Sequence, residues 1–235
     1  MKITSLQNAI IKDLVKLKAK KYRDQSGTFL VEGEHLLQEL KASKLEFQTL
    51  GLDDSFDIEI NDLIAEKLSQ TKSGSQIFAQ VKMPELNIPQ GSRFLLCDGV
   101  QDPGNLGTMI RTAYSFGFDA VIISNDSVDL YNDKVVRSTQ GALFHLPCIR
   151  MDMKEAIQML SEQGVSIYAT ALSDASKPLT SVEADKCAFI MGSEGSGVSI
   201  KTLELVENHI IIETSEFESL NVAIAAAIIC YQFRK

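Results

Sequence analysis

Three loops after residue 97 concentrate polar side chains of the types that bind or orient ligands. They are residues 98–105, 192–197 and 213–221, and each follows an apolar run typical of a buried strand. Ligands of open parallel sheets bind beyond the carboxyl ends of the strands. The three loops are therefore predicted to lie at the edge of a sheet where a ligand binds.

The loop Met191-Gly-Ser-Glu-Gly-Ser-Gly197 is the clearest candidate for contact with a cofactor. A dinucleotide-binding fingerprint would need a third glycine at Ile200, and a Walker loop would need a lysine at Val198. Both patterns therefore fail at a residue that their chemistry requires. The glycines still allow a ligand to approach the backbone closely, and Glu194 favours a cationic or hydroxyl-bearing ligand. A tight strand-to-helix turn without a ligand is the alternative.

Asn105 and Arg111 are the polar residues that stand out in the segment after the first loop. Asn105 is predicted to cap a helix over residues 106–116, and Arg111 interrupts the apolar pattern of that helix. Taken singly, each has a simple structural interpretation. Asn105 would be a helix cap, and Arg111 would be a surface or salt-bridge residue.

The C-terminal stretch, residues 218–235, begins with Ser219 and Asn221 and is then almost wholly apolar. Small and apolar residues without a polar face predict a helix that is buried on every side. The apolar block 222–231 is too short to span a bilayer. A buried helix with two hydrogen-bonding side chains at its start indicates a site at that point.

The candidate residues lie where strands and helices alternate. From residue 93 onward this alternation predicts a parallel sheet covered by helices on both faces. A polar stretch with prolines and a glycine, residues 83–92, is the predicted linker. The chain is therefore predicted to be an α/β protein with a smaller N-terminal α/β domain, 1–86, and a second domain, 87–235.

The charge of the chain is unevenly distributed. The net charge of −8 argues against general affinity for nucleic acid. Residues 1–23, however, contain seven Lys or Arg and one acid, so they carry +6 and the rest of the chain carries −14. A helix is predicted over residues 5–23 with Ser5 as its N-cap. Its lysines form either a surface that contacts phosphate or an ordinary solvated face.

The cysteines and the overall hydrophobicity bear on the compartment. The four cysteines form no C-x-x-C pair, and each lies in an apolar run. Buried thiols in a reducing cytoplasm are therefore expected, rather than a metal site or a disulfide framework. Neither a signal peptide nor a transmembrane helix is expected, so the predicted location is cytoplasmic, without a membrane partner.

Three segments form an ordered set along the chain. They are Asn105-Leu-Gly-x-x-x-Arg111-Thr-Ala, the glycine loop 191–197 and Ser219-Leu-Asn-Val222-Ala-Ile-Ala. In this order they resemble the three motifs of the SpoU/TrmH branch of the SPOUT RNA methyltransferases. The segments 134–147 and 27–33 also look like parts of this family, so the resemblance covers nearly the whole chain.

The resemblance implies a fold, a cofactor and a reaction. The C-terminal domain would be a SPOUT methyltransferase domain whose chain end threads a trefoil knot, and the N-terminal domain would bind the RNA substrate. The cofactor would be S-adenosyl-L-methionine, and the reaction would be methyl transfer to a ribose 2′-hydroxyl. Ribosomal RNA is the expected substrate, and transfer RNA is the alternative. The family works as homodimers with the active site built across the interface.

The resemblance also implies roles for single residues. Arg111 would be the catalytic arginine, which holds the RNA phosphate and helps to activate the 2′-hydroxyl without losing its own proton. The residues implied to shape the site with it are Asn105, Glu194, Ser219 and Asn221. The residues implied to hold the cofactor are Thr170, Leu172, Gly192, Ile212 and Leu220.

Two departures from the family pattern lie near the last motif. Glu213 and Thr214 follow Ile212 where the family usually has proline and methionine, and Ala223 replaces a common serine. The acidic stretch 213–218 is an unexpected neighbour for an RNA phosphate. A catalytically silent, knotted RNA-binding protein is therefore one alternative function. A nucleotide-binding α/β enzyme that uses the glycine loop is another.

Overall fold

The computed structural model describes residues 1–173, 175–216 and 220–235. The chain forms two compact units: the first contains Met1–Glu85 and Asp129–Phe144, and the second contains Leu86–Val128 and His145–Lys235. The division into domains 1–86 and 87–235 assigns residues 129–144 differently and stays a prediction. No helix in the described part of the chain is long and apolar enough to cross a membrane.

The helices and strands of the described residues are numbered in chain order. The α-helices are α1 (Ala9–Lys16), α2 (Lys20–Ser26), α3 (Glu34–Ala42), α4 (Asp62–Leu68), α5 (Pro103–Ser115), α6 (Asp133–Ser138), α7 (Met153–Glu162), α8 (Ile200–Leu203) and α9 (Val222–Gln232). The strands are β1 (Thr28–Glu32), β2 (Phe47–Gly51), β3 (Ile58–Glu59), β4 (Phe78–Lys82), β5 (Arg93–Cys97), β6 (Ala120–Ile123), β7 (Cys148–Arg150), β8 (Ser166–Thr170), β9 (Lys177–Pro178), β10 (Cys187–Met191) and β11 (Asn208–Ile211). Short 3₁₀ helices span Ala142–Phe144 and Leu179–Ser181.

The first unit contains a four-stranded sheet in the order β1-β4-β2-β3. Strand β4 is antiparallel to both of its neighbours, whereas β2 and β3 are parallel. Leu14 of α1, Leu50 of β2 and Ile64 of α4 are buried in one apolar core. Helices α1 and α4 therefore pack on the sheet through a shared set of side chains.

The prediction of one helix over residues 5–23 is wrong, because α1 and α2 are separated by a turn at residues 17–19. Asn8, not Ser5, caps α1, since its side chain accepts a hydrogen bond from the backbone N–H of Ile10. The buried guanidinium of Arg23 donates to the carbonyl oxygens of residues 17 and 18 at 2.7 and 3.0 Å. It thereby satisfies carbonyl groups at the end of α1, where a helix lacks its own donors.

The second unit is built on a seven-stranded parallel sheet in the order β7-β6-β5-β10-β8-β11-β9. The predicted parallel α/β sheet is confirmed, and β5 and β10 are the buried strands predicted directly before the loops 98–105 and 192–197. Every side chain of β10 is buried, as expected for a central strand that is covered on both faces. The carboxyl ends of β5, β10, β8 and β11, which are neighbours in the sheet, lead into the candidate loops.

Helix α5 begins earlier than predicted, and Asp102 rather than Asn105 is its N-cap. The Asp102 carboxylate accepts a hydrogen bond from the backbone N–H of Asn105 at 2.9 Å. Pro103 occupies the first turn, where its missing N–H costs nothing. The side chain of Asn105 is therefore available for hydrogen bonds outside the helix.

Helix α9 packs on α5 and β10, but it is not buried on every side as predicted. Ala226 and Ile229 are fully buried, whereas Ile224, Ile228 and Tyr231 are 53%, 37% and 59% exposed. The exposed residues are spaced i, i+4 and i+7, so they share one face of the helix. The uniformly apolar sequence could not reveal this open face, because it contains no polar stripe to mark it.

The four cysteines are free and buried, as predicted. Burial raises the pKa of Cys187 to about 11 and that of Cys230 to about 12. It raises the pKa of Cys97 and Cys148 as well. Thiolate, the form that reacts and binds metals, is therefore scarce at neutral pH. No group of three or more His, Cys, Asp or Glu among the described residues is arranged to hold a metal ion.

Candidate active site

A cavity of about 830 Å³ opens at the carboxyl ends of β8, β10 and β11, beside the first turn of α9. Its volume lies within the range of about 300–1,000 Å³ that is usual for small-molecule sites. The walls include residues of the segments 170–173, 191–198 and 209–214. The cavity is lined by all five residues predicted to hold a cofactor: Thr170, Leu172, Gly192, Ile212 and Leu220.

The cavity presents mainly apolar and backbone groups to a ligand. Leu172 and Leu220 are exposed apolar residues of its lining. The hydroxyl of Thr170 donates to the carbonyl oxygen of Ile190 at 2.9 Å, so it is already engaged within the sheet. The roles of the five residues in cofactor binding stay predictions, and their convergence on one cavity favours that role.

Gly192 lies where the glycine loop folds back on itself. Ser193 and Gly197 are joined by two backbone hydrogen bonds of 2.9 and 3.1 Å. A Cβ atom added to Gly192 would lie 1.9 Å from the carbonyl carbon of Gly197 and 2.0 Å from the nitrogen of Val198. Gly197 has a φ of 69°, in the left-handed region that favours glycine. The shape of the loop therefore requires these two glycines, and backbone forms this part of the wall.

A chain of side-chain hydrogen bonds links the glycine loop, the start of α5 and the start of α9. The Nδ2 of Asn105 donates to Oε1 of Glu194 at 2.9 Å, and the Nδ2 of Asn221 donates to Oδ1 of Asn105 at 3.1 Å. The Oδ1 of Asn221 accepts from the backbone N–H groups of Ala223 and Ile224, which caps α9. Three of the five residues predicted to be catalytic are therefore brought together.

The carboxylate of Glu194 is stabilised as an anion. Partial burial by itself would raise its pKa, but hydrogen bonds from the Asn105 amide and from backbone N–H groups outweigh burial and hold the pKa below its ordinary value. The backbone donors include Gln101 at 3.3 Å and Asp102 at 3.2 Å. Glu194 therefore anchors the residues that precede α5.

The structure does not bring Arg111, a fourth predicted catalytic residue, into this group. Arg111 lies on α5, is exposed, and is not among the described residues that line the cavity. Its guanidinium makes no ion pair or hydrogen bond with another described residue. Ser219 lies outside the described residues, so its role stays a prediction.

The acidic residues before α9 do not all turn toward the cavity. Ile212 and Thr214 line the cavity, whereas the Oε1 of Glu213 accepts a hydrogen bond from the Thr180 hydroxyl at 2.6 Å. This hydrogen bond is the main cause that holds the pKa of Glu213 below its ordinary value. The first carboxylate of the stretch is therefore paired, and Glu218 lies outside the described residues.

Sequence reasoning missed Gln101 and Asp102, which connect the loop after β5 to its surroundings. The side-chain amide of Gln101 donates to the carbonyl oxygens of Asp126 and Gly99 at 2.7 and 3.2 Å. An acidic residue directly before a proline is a usual helix start, so Asp102 could have been found. Gln101 offered no comparable signal, because its partner Glu194 lies far away in the sequence.

The family follows from comparison with known proteins. Residues 92–231 match the family described as SpoU rRNA Methylase, and residues 8–82 match the MRM3-like substrate binding domain. The chain belongs to the SpoU rRNA methylase family. The match to the first description covers all seven strands of the parallel sheet.

Two relatives are similar to this SpoU family member along nearly its whole length. It is 38% identical to the 23S rRNA (guanosine(2553)-2′-O)-methyltransferase RlmP of Bacillus subtilis over 99% of this chain and 98% of that protein. A putative TrmH-family RNA methyltransferase from Porphyromonas gingivalis is 29% identical with a TM-score of 0.86, over 98% of this chain and 99% of that one.

A third likeness concerns the fold alone. An AdoMet-bound rRNA methyltransferase from Sinorhizobium meliloti has a TM-score of 0.87 at 24% identity, over 99% of this chain and 96% of that one. It confirms the predicted α/β fold class, whereas the predicted family is confirmed by the family match and the B. subtilis relative.

The glycine loop yields a direct prediction for the cavity. Gly192→Ala should abolish binding of S-adenosylmethionine in calorimetry, because the new Cβ would overlap the backbone of residues 197 and 198. Gly195→Ala is the matched control, since a Cβ there meets nothing within 4 Å, and it should keep the parent's thermal unfolding curve. Parent-like affinity in Gly192→Ala would show that the loop does not form the binding wall.

The anchoring carboxylate predicts a pH-dependent loss of stability. Glu194→Gln should lower the midpoint of thermal unfolding, Tm, by about 2–4 °C at pH 7, the effect of roughly 1 kcal/mol in a chain of this size once solvent exposure is allowed for. Because the pKa of Glu194 is lowered, its contribution is complete above the ordinary pKa and is lost as the pH falls through the lowered one.

The Tm difference between Glu194→Gln and the parent should therefore disappear in acid. Glu204→Gln, which changes an exposed acid at the end of α8, is the control and should leave Tm unchanged. A Tm difference for Glu194→Gln that is the same at neutral and acidic pH would contradict the anchoring role of the charge.

Proposed function

We propose that this SpoU family member transfers a methyl group from S-adenosyl-L-methionine to a ribose 2′-hydroxyl of ribosomal RNA. The observation that carries the proposal is the single cavity where the glycine loop, residues 170–173 and the start of α9 meet. Family membership confirms the predicted enzyme class, an RNA 2′-O-ribose methyltransferase, and the predicted cofactor. The name of the B. subtilis relative specifies 23S rRNA, which favours ribosomal over transfer RNA here.

The walls of the cavity fit S-adenosylmethionine better than a nucleotide with several phosphates. None of the described lining residues is Lys or Arg, and Glu194 adds a carboxylate. Leu172 and Leu220 offer apolar side chains to an adenine ring, and the backbone at Gly192 offers hydrogen-bonding groups. When bound, the cofactor supplies an electrophilic sulfonium methyl group. This lining disfavours the alternative of a nucleotide-binding enzyme.

The polar residues around the cavity would position the RNA. Asn221 lines the cavity and is held by Asn105, so the two amides form a fixed surface for a ribose. Methyl transfer needs the 2′-oxygen held in line at roughly 3–3.5 Å from the methyl carbon, so correct positioning supplies much of the rate. Arg111 would hold the adjacent phosphate and stabilise negative charge on the 2′-oxygen. Its guanidinium stays protonated and therefore does not act as the base.

We also propose that the protein is a cytoplasmic homodimer in which Arg111 of one subunit serves the cavity of the other. Within one chain, Arg111 is exposed and lies outside the described cavity lining. Helix α9, which packs on the helix that carries Arg111, leaves Ile224, Ile228 and Tyr231 open as an apolar stripe. Exposed apolar patches commonly mark protein interfaces, so a second subunit is the proposed cover.

A trefoil knot at the chain end is part of the same proposal. Strand β10 lies between β5 and β8 although it follows both in sequence. The carbonyl oxygen of Phe233 accepts a hydrogen bond from Nε of Arg93 at 2.9 Å, and Lys235 forms an ion pair with Asp119. These contacts hold the chain end against the rest of the second unit, which supports the proposal that the chain end is threaded through a knot.

Arg111→Ala should separate binding from chemistry. Methyl transfer from labelled S-adenosylmethionine to unmodified ribosomal RNA should fall by at least about 100-fold, because the phosphate and the 2′-oxygen lose their positioning charge. Calorimetric affinity for the cofactor should stay within about twofold of the parent. Arg111→Lys keeps the positive charge without the planar fork of the guanidinium. Its methyl transfer should lie between that of Arg111→Ala and that of the parent.

Three results would count against these assignments. Equal losses of cofactor affinity and methyl transfer in Arg111→Ala would make the role of Arg111 structural. A parent protein that binds ribosomal RNA but transfers no methyl group to it would support the catalytically silent alternative. Methylation of transfer RNA alone would mean that the substrate is transfer RNA and not ribosomal RNA.

The shared site predicts that two inactive variants restore each other. When Arg111→Ala and Gly192→Ala chains are co-expressed, each mixed dimer contains one cavity with both an intact glycine loop and an intact arginine. Random pairing should therefore recover about a quarter of the parent's methyl transfer. No recovery in mixed dimers would place Arg111 in the site of its own chain.

A control removes the dimer itself. Ile224→Glu/Ile228→Glu places two charges on the open stripe of α9 and should give a monomer in light scattering. When these changes are added to both inactive chains, co-expression should no longer restore methyl transfer. Leu205→Glu, which changes an exposed apolar residue outside α9, should remain dimeric.

A further inference from the structure

We propose that Tyr22, with Lys16 and Lys21 beside it, is a stacking platform for an unpaired nucleobase of the RNA substrate. The proposal rests on the proposed function, because it names a contact of the same RNA with the first unit. It concerns residues of α1 and α2 only and leaves the cavity of the second unit unchanged.

The geometry of the ring is the first reason. Tyr22 is 39% exposed, so part of its ring is open to solvent. The Nζ atoms of Lys16 and Lys21 each lie 5.9 Å from the centroid of its ring. A base that stacks on this ring would bring its flanking phosphates toward two ammonium groups. Proteins bind single-stranded RNA with this combination of aromatic faces and positive charge.

The platform is held in place before any ligand arrives. The buried Arg23 donates to the carbonyl oxygens of Leu17 and Lys18 and forms an ion pair with Asp129. These contacts fix the turn between the end of α1, which carries Lys16, and the start of α2, which carries Tyr22. A preformed surface loses less conformational entropy when it binds, which favours affinity.

The charge around Tyr22 favours a polyanion as the partner. Five lysines of this region are exposed: Lys12, Lys16, Lys18, Lys20 and Lys21. Among the described residues, carboxylates pair with two of them, Asp13 with Lys16 at 2.8 Å and Asp24 with Lys20 at 2.5 Å. The cluster stays cationic within a chain whose net charge is −8. The matched MRM3-like substrate binding domain, residues 8–82, contains the whole platform.

The test is binding of a fluorescent single-stranded oligoadenylate of about 12 nucleotides, measured by anisotropy. Tyr22→Ala should raise Kd about tenfold, the usual effect of losing one stacked base. Tyr22→Phe keeps the ring and should bind within about twofold of the parent. Tyr22→Leu keeps apolar bulk without an aromatic face and should behave like Tyr22→Ala.

Lys16 and Lys21 are tested separately, by the salt dependence of RNA binding. Lys16→Ala/Lys21→Ala should reduce the slope of log Kd against log salt by about 1.4, since each phosphate contact on a single strand contributes about 0.7. Lys44→Ala, which removes another exposed lysine of the first unit, is the matched control and should leave Kd unchanged. Equal weakening by Lys44→Ala would mean diffuse charge attraction and would overturn the platform.

The test of the platform can fail or succeed independently of the test of the proposed function. Tyr22→Ala should keep the parent's unfolding curve and its calorimetric affinity for S-adenosylmethionine, because the residue is exposed and lies in the first unit. Parent-like RNA binding by Tyr22→Ala would overturn the platform even if methyl transfer is observed. Loss of RNA binding in Tyr22→Ala would support the platform even if the parent transfers no methyl group.

Discussion

The site depends on one contact, the hydrogen bond from the Asn105 amide to the Glu194 carboxylate. It joins the glycine loop after β10 to the first turn of α5, and Asn105 extends the connection to Asn221 at the start of α9. Hydrogen bonds to an ionised group are shorter and stronger than neutral ones, and the lowered pKa of Glu194 shows that the anion is favoured. Three loops that are remote in sequence are thereby fixed relative to one another, which preorganises the place where the ribose would bind.

The cavity beside this contact is formed largely by backbone and apolar side chains, with Glu194 as an acidic lining residue and no Lys or Arg among the described ones. The close approach at Gly192 makes that possible, because no side chain fits between the two arms of the glycine loop. Glu213, the first acid before α9, is compatible with this arrangement, since it is hydrogen-bonded to Thr180 and lies outside the described lining. A cofactor that carries a sulfonium and no phosphate suits such a cavity. Positive charge is instead placed at Arg111 and on the lysines of the first unit.

Much of the fold was predictable because the central strands carry an unambiguous signal. In β5 and β10 every position but Arg93 is apolar, so both could be predicted as buried strands from the sequence. The candidate residues could be found from the order of three motifs along the chain, and Asn105, Glu194 and Asn221 do converge. Their roles in catalysis and cofactor binding stay predictions.

Two of the errors arise because long-range contacts override local patterns, whereas the third concerns a local helix cap. The break between α1 and α2 depends on Arg23, which reaches Asp129 more than a hundred residues away. Helix α5 begins earlier than predicted because the carboxylate of Asp102, rather than the side chain of Asn105, caps it. The open face of α9 could not be seen, since apolar residues surround the helix and only packing on α5 distinguishes its sides.

The most direct test of the central claim is a map of ribose methylation in cells that lack the gene. Ribosomal and transfer RNA from these cells and from the parent strain would be compared nucleotide by nucleotide by mass spectrometry. The account predicts that a 2′-O-methylated nucleotide disappears from ribosomal RNA and returns when the gene is restored. An unchanged pattern in ribosomal RNA, or a loss confined to transfer RNA, would contradict it.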